Sequence, residues 1–271
     1  MPNAGQALPP YEVRAHNAAT ASENKIHDDA VARQHGFSGG LVPGITVFGY
    51  LTTPVVKTWG AAWLERGYLS GRFRQPIYDG DDVMVAGTFG ADGDVQLEAR
   101  NSADEVCAVG HARLDANAPA RPSTEDYPEA PLISPRLDPT PEALAKVDVL
   151  GSLEAGYHAD RADTALLGDD LPIYRELRVA HPVWLLYFAN AILASNVALG
   201  PWIHTASAVQ NLSMLHHGER LSVRGRVAEL SERRGHQVVD LDLLMVAGNV
   251  RPVMQVRHTA IYRLRSTEQA S

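Results

Sequence analysis

"IYDGDDVMVAG", Ile77 to Gly87, returns later in the chain as "LHHGERLSVRG", Leu215 to Gly225. Both read apolar-x-x-Gly-acid-x-apolar-x-Val-x-Gly, at an offset of 138 residues. A second pair follows in the same order. "VCAVGHARL", Val106 to Leu114, and "VMQVRHTAI", Val253 to Ile261, share Val-x-x-Val-x-His-x-x-aliphatic at an offset of 147. The later half has therefore gained nine residues between its motifs. "ELSERRGHQ" and "AGNVR" are the expected sites of longer hairpin loops. Two ordered matches imply one unit used twice.

The elements around the motifs agree. The first half offers a short strand at about Tyr11–Asn17, a short helix at Asp28–His35 and an apolar helix at Ile45–Leu64, broken near Pro54. Strands follow at Tyr68–Gln75, Asp82–Phe89, Val95–Asn101 and Glu105–Leu114, with "GADGD" as a hairpin turn. The second half offers a strand at Ile173–Ala180, a helix at Val183–Leu199, and strands at Thr205–Leu215, Leu221–Leu230, Gln237–Val246 and Val253–Arg263. Each half is one long helix followed by an antiparallel meander, an α+β arrangement in which a sheet wraps a central helix. The expected boundaries are a first unit at 1–114, a linker at 115–170 dense in Pro, Ala and acidic residues, and a second unit at 171–271.

Composition narrows the function classes. The chain has 271 residues, 45% hydrophobic and 21% charged, with 24 basic against 32 acidic residues for a net charge of −8. That charge argues against nucleic acid or anionic membrane as a partner. The single cysteine, Cys107, leaves no internal disulfide or Cys-based zinc cluster. A reducing, cytoplasmic setting fits, and "MPNAGQALPPYEV" lacks the basic and apolar regions of a secretory signal. "VWLLYFANAILASNVAL", Val183 to Leu199, holds Asn190, Ser195 and Asn196 and is short for a membrane span of about 20 residues, so it reads as a buried helix. No metal-protease, serine-hydrolase, P-loop or dinucleotide fingerprint occurs.

The stretch "SENKIHDDAVARQHGFSGGLVPGI", Ser22 to Ile45, carries the chemistry. Asn24, His27 and Asp29, then Ala32, Gly36–Phe37, Gly44 and Ile45, stand in the register of the MaoC-like (R)-specific enoyl-CoA hydratase family, and "RFRQPIYDGDDV", Arg72 to Val83, is similar to the family's Pro and Gly-Asp strand. The chain thus resembles that family, whose duplicated form is the double hot-dog fold. The resemblance implies an acyl thioester substrate, a 2-enoyl/3-hydroxyacyl pair, with CoA or an acyl-carrier arm as part of the substrate and no metal or redox cofactor. It gives His27 the acid/base role, Asn24 that of orienter or water holder, and the Gly44 N–H that of donor to the thioester oxygen, at the positive end of a helix.

The departures from the pattern are as informative. Ser22 stands where the family's catalytic Asp falls, Lys25 where its Pro falls, and Pro43 where its second His falls. Ser22 is a hydrogen-bonding substitute, and Glu23 offers a carboxylate one position out of register. At the 138-residue offset Asp160 falls opposite Ser22, Ala162 and Ala165 opposite Asn24 and His27, and His181 opposite Pro43. "VAHPVWLL" therefore looks like the element the first half lost, and His181 and Asp160 are secondary candidates. Arg72 and Arg74 are candidates for a substrate phosphate.

Each residue has a plainer reading. His27 could simply enter the short helix, Asn24 could cap it, and His181 could be a hydrogen-bonded half-buried His. His111 and His258 are repeat-equivalent and read as structural, while Trp202 in "PWIH" reads as core. The alternatives to hydration are thioester hydrolysis, a specialised lyase or isomerase step, or a non-catalytic protein that binds an acyl ligand. A homodimer is a further expectation.

Overall fold

The structure is a computed structural model describing residues 3–161 and 167–265. The elements of the first half are β1 (Tyr11–Arg14), α1 (Asp29–Gln34), α2 (Gly44–Arg66), β2 (Gly67–Phe73), β3 (Asp82–Phe89), β4 (Val95–Asn101) and β5 (Val106–Leu114). Those that follow are α3 (Pro141–Leu144), β6 (Leu150–Gly156), α4 (Pro172–Leu177), α5 (Pro182–Asn196), β7 (Ile203–Asn211), β8 (Arg220–Arg233), β9 (His236–Ala247) and β10 (Arg251–Arg263).

Among the described residues, ten strands form one antiparallel sheet in the order β1-β3-β4-β5-β2-β7-β10-β9-β8-β6. That order is a palindrome: β2 mirrors β7, β5 mirrors β10, β4 mirrors β9, β3 mirrors β8 and β1 mirrors β6. Register carries the repeat to single residues. Val13 of β1 sits opposite Val83, and Ala155 of β6 sits opposite Leu221, the residue at the 138-residue offset from Val83. The halves join where β2 pairs with β7, Leu69 opposite Val209. This is the double hot-dog fold, with α2 and α5 packed on each other and on the concave face.

The sequence explains the wrapping. From Ile45 to Val56 every residue of α2 is buried, and α5 buries Val183, Leu185, Leu186, Ala189, Ile192 and Leu193. A helix apolar on most faces needs cover on most sides, and the sheet and the other helix supply it. In β3 the alternation is strict, with Val83, Val85, Gly87 and Phe89 inward. No helix among the described residues is long and apolar enough to cross a membrane.

Several expectations are corrected. α2 runs through Pro54 without a break and kinks at Gly60 instead, where φ is 55° and ψ −138°. A positive φ is a conformation glycine adopts without steric cost. The segment expected as a strand at Ile173–Ala180 is the helix α4, opened by Pro172 and closed by Arg178 in the left-handed conformation. Its place in the sheet is filled by β6, which lies inside the stretch read as a linker and pairs with β8 from Leu150 to Gly156.

The part of that linker around Tyr127 straps the second half. The Tyr127 hydroxyl donates to Asp242 at 3.0 Å, and its ring packs with Leu212, Leu244 and Val246. The nine-residue gain is not a longer loop either. β8 and β9 span 14 and 12 residues where β3 and β4 span 8 and 7. They meet at a tight turn with Arg234 and Gly235 at positive φ, 52° and 78°, the geometry that matches strand twist.

Candidate active site

Ser22 to Gly44 forms a loop that packs against the second half. Asn24 caps the turn Lys25–His27, its Oδ1 accepting from the Ile26 N–H at 3.4 Å. The same carboxamide holds the Trp202 backbone from both sides: Nδ2 donates to the Trp202 carbonyl at 3.0 Å, and the Trp202 N–H donates to Oδ1 at 3.2 Å. Asn24 is therefore a cap and a clamp between halves. Ser22 supports it, its hydroxyl oxygen accepting from the Asn24 N–H at 3.1 Å.

Asp28 caps α1 by accepting from the N–H groups of Ala30 and Val31, at 2.9 and 3.0 Å. Asp29 accepts from the Gly40 N–H at 2.8 Å. That fixes the glycine pair, since a Cβ on Gly40 would lie 2.1 Å from the His27 carbonyl oxygen. Only glycine allows that approach.

The result is a fixed imidazole. His27 Nδ1 lies 2.7 Å from the Leu41 carbonyl oxygen. A carbonyl only accepts, so Nδ1 carries the proton and Nε2 of the neutral ring is a free base. Burial pushes the His27 pKa below 6.5, and the Leu41 bond opposes the shift without cancelling it. Asn24 Nδ2 stands 3.5 Å from Nε2, at the edge of hydrogen-bond range.

His27 looks into a cleft of two lobes that meet at Asn24, His27, Pro43, Asn190 and Trp202. One lobe is apolar, walled by Phe37, Leu41, Val47, Phe73 and Ile203, with Arg74 and Gln75 at its polar margin. The other carries Ser22, Glu23, Arg136 and Tyr187. Gly44 lines the apolar lobe as the first residue of α2. The opening N–H groups of a helix have no partner within it and carry the positive end of its dipole, so the cleft pairs a neutral imidazole base with an anion-stabilising helix start.

The structure thus brings together His27, Asn24, Ser22, Gly44 and Arg74, with Glu23 exposed on the second lobe. It keeps three candidates apart. Arg72 lies on the outer face of β2, because its neighbours Gly71 and Phe73 turn inward. Asp160 is exposed and paired with Arg178 at 3.2 Å, off the cleft walls.

His181 is the third. It caps α5, its Nδ1 accepting from the Val183 N–H at 3.0 Å, while Nε2 faces Asp169 at 3.5 Å. Thr53 donates to the same carboxylate at 2.6 Å. Burial would raise the Asp169 pKa, but the bonds from His181 and Thr53 hold it below the ordinary range. This buried pair ties the loop before α4 to α2 and opens on neither lobe. Ala162 and Ala165, the expected counterparts of Asn24 and His27, lie outside the described residues.

Among the cleft residues that carried no sequence expectation as site residues are Asn190, Phe73, His204 and Arg136. For Asn190 the available signal was an amide in the middle of a largely apolar helix. Its Oδ1 is buried without a hydrogen-bond partner.

No family model matches the chain, and no curated protein matches it. Solved structures do share its fold. A conserved hypothetical protein from Mycobacterium tuberculosis, described as having a double hot-dog fold, aligns at TM-score 0.66 and 15% identity over 96% of both chains. A MaoC-like dehydratase aligns at TM-score 0.60 and 13% identity, over 95% of this chain and 98% of its own. An acyl-CoA thioesterase II from Mycobacterium marinum aligns at 0.53 and 15%, over 82% and 90%. The likeness is one of fold, shared by a dehydratase and a thioesterase alike.

Proposed function

We propose that this chain is an acyl-thioester hydratase or dehydratase, interconverting a 3-hydroxyacyl and a 2-enoyl thioester of CoA or a carrier arm. The observation that carries the reading is the His27 tautomer: proton on Nδ1, held by Leu41, and a bare Nε2 in a cleft that also holds the start of α2. Likeness in fold to MaoC-like dehydratases supports it.

In the dehydration direction, His27 Nε2 takes a proton from the α-carbon. The electron pair moves toward the thioester carbonyl, whose developing negative oxygen is met by the Gly44 N–H. The pair returns to form the α,β double bond as the β-hydroxyl leaves. The imidazolium of His27 gives the same proton to that hydroxyl, releasing water. Hydration is the reverse. One base serves both transfers, which suits a site with Ser22 where a catalytic carboxylate would stand. The apolar lobe takes the acyl chain, and Arg74 or Arg136 meets a phosphate of the carrier arm.

One feature favours hydrolysis as a second reading. A single base beside a helix N-terminus is enough to direct water at the thioester carbonyl itself. Incubation with crotonyl-CoA and 3-hydroxybutyryl-CoA separates the two. Loss or gain of the enoyl absorbance, abolished in His27→Ala, supports the lyase. Release of free thiol supports hydrolysis. Binding without turnover, unchanged in His27→Ala, would overturn both in favour of a ligand carrier.

A further inference from the structure

Behind Gly44 lies a hydrogen-bonded chain that the reaction above does not use. His204 of β7, Ser207 of β7 and His258 of β10 are all buried. His204 Nε2 lies 2.8 Å from the Ser207 hydroxyl oxygen, which lies 2.9 Å from His258 Nδ1. The two remaining ring nitrogens, His204 Nδ1 and His258 Nε2, make no hydrogen bond. Burial first, and then the neighbouring His258, push the His204 pKa well below 6.5 against the opposing pull of the Ala206 backbone, while burial takes His258 to about 3. Both rings are therefore neutral, with one N–H each.

A hydroxyl has one proton, so the chain has two self-consistent patterns. In the first, His204 Nε2–H donates to Ser207, and Ser207 donates to His258. That strands the second N–H on His258 Nε2, whose side chain lines neither lobe. In the other, His258 Nδ1–H donates to Ser207 and Ser207 donates to His204 Nε2, which places the spare N–H on His204 Nδ1. Buried N–H groups without a partner are rare. His204 lines the apolar lobe, the side from which a ligand can bring that partner. The second pattern is the one the fold can satisfy.

Position gives this N–H a purpose. A Cβ on Gly44 would meet His204 Nδ1 at 2.8 Å and Phe73 Cε2 at 2.8 Å. The nitrogen thus lies against the residue that opens α2, with Phe73 packed edge-on to its ring at 4.9 Å. We propose that His204 is a second donor to the thioester carbonyl oxygen, its Nδ1–H acting beside the Gly44 N–H, with Ser207 and His258 as positioning residues that fix its tautomer. The second half would then supply an electrophile to the base of the first. This rests on the acyl-thioester reading of the site.

The test uses butyryl-CoA labelled with 13C at the thioester carbonyl. The acyl chain is saturated, so it binds without hydration, and its carbonyl stretch reports polarisation. In the wild-type complex the band shifts to lower frequency than in water. His204→Phe keeps a ring against Phe73 but removes the N–H; it should lose part of the shift with the Kd changed less than about threefold. With crotonyl-CoA it should lower kcat by ~100-fold or more, the range for one oxyanion donor, with a small change in KM. Ser207→Ala should give an intermediate shift.

Imidazole 15N spectra of the unmutated chain give an independent check, and they should show His204 protonated on Nδ1. An unprotonated Nδ1, or a carbonyl band unchanged in His204→Phe, overturns the role of His204 and leaves His27 untouched. Failure of the wild type to bind butyryl-CoA overturns the thioester reading and this proposal together.

Discussion

Asn24→Ala offers the sharpest test of how the two halves are joined at the cleft. The change removes the donor to the Trp202 carbonyl and the acceptor for the Trp202 N–H, at 3.0 and 3.2 Å, along with the cap on Ile26. Each net hydrogen bond contributes about 1 kcal/mol, and losing a cap costs about 1 kcal/mol. The sum is about 3 kcal/mol if the Trp202 groups stay unpaired. The cleft flanks them on both sides, so water can take over part of the loss, and about 2 kcal/mol is the expected result. Urea unfolding should show a lower midpoint at an unchanged slope, and Ser22→Ala, which loses one bond to the Asn24 N–H, should cost no more than about 1 kcal/mol. A loss under about 0.5 kcal/mol for Asn24→Ala, within the range of ordinary surface changes, would refute the clamp. A larger loss in Ser22→Ala than in Asn24→Ala would refute the order of support.

Other outcomes follow from the same geometry. His27→Ala should lower kcat by ~100-fold or more, the scale of a lost general base. In the wild type, the acid limb of kcat/KM should inflect below pH 6.5, because burial depresses the pKa of the base. Stability should also fall on acidification: the folded pKa of His258 is about 3 against 6.5 for the free side chain, so the unfolded chain takes the proton first. Its contribution is complete above pH 6.5 and declines by about 1.4 kcal/mol per pH unit below it, and His258→Gln should flatten the plot of urea midpoint against pH by that one-proton slope. Gly44→Ala sets a Cβ 2.8 Å from both His204 and Phe73. An overpacked site of this kind costs about 1–3 kcal/mol, and both thermal melting and turnover should register it.

The features legible in the sequence share one property: their cause is local. Val83, Val85 and Phe89 alternate because β3 has one buried face, and the largely apolar run of α5 announces a helix buried on most sides. The β6 strand was hidden because prolines and acids on either side of Leu150–Gly156 dominate the composition there, while the strand is held by its pairing to β8. α4 was misread because Ile173, Tyr174 and Leu177 suit either a strand or a short helix, and the choice was made by β6 already occupying the sheet edge. At the site, His27 and Gly44 could be read from the motif, but the partners that define their chemistry could not. Trp202, which Asn24 clamps, is 178 residues away from it. His204 stands behind Gly44 only because β2 and β7 lie side by side.

That junction has a consequence for how the chain is made. β2 pairs with β5 on one side as soon as the first half has emerged, but its other side is covered only by β7, about 130 residues later in the sequence. At a synthesis rate of 5–20 residues per second the open edge persists for on the order of 10 s. Its unpaired backbone groups are a template for any strand nearby. During translation on a polysome, the nearest such strand is the same β2 of a neighbouring nascent chain, so the seam that completes the finished molecule is also where two unfinished copies would pair.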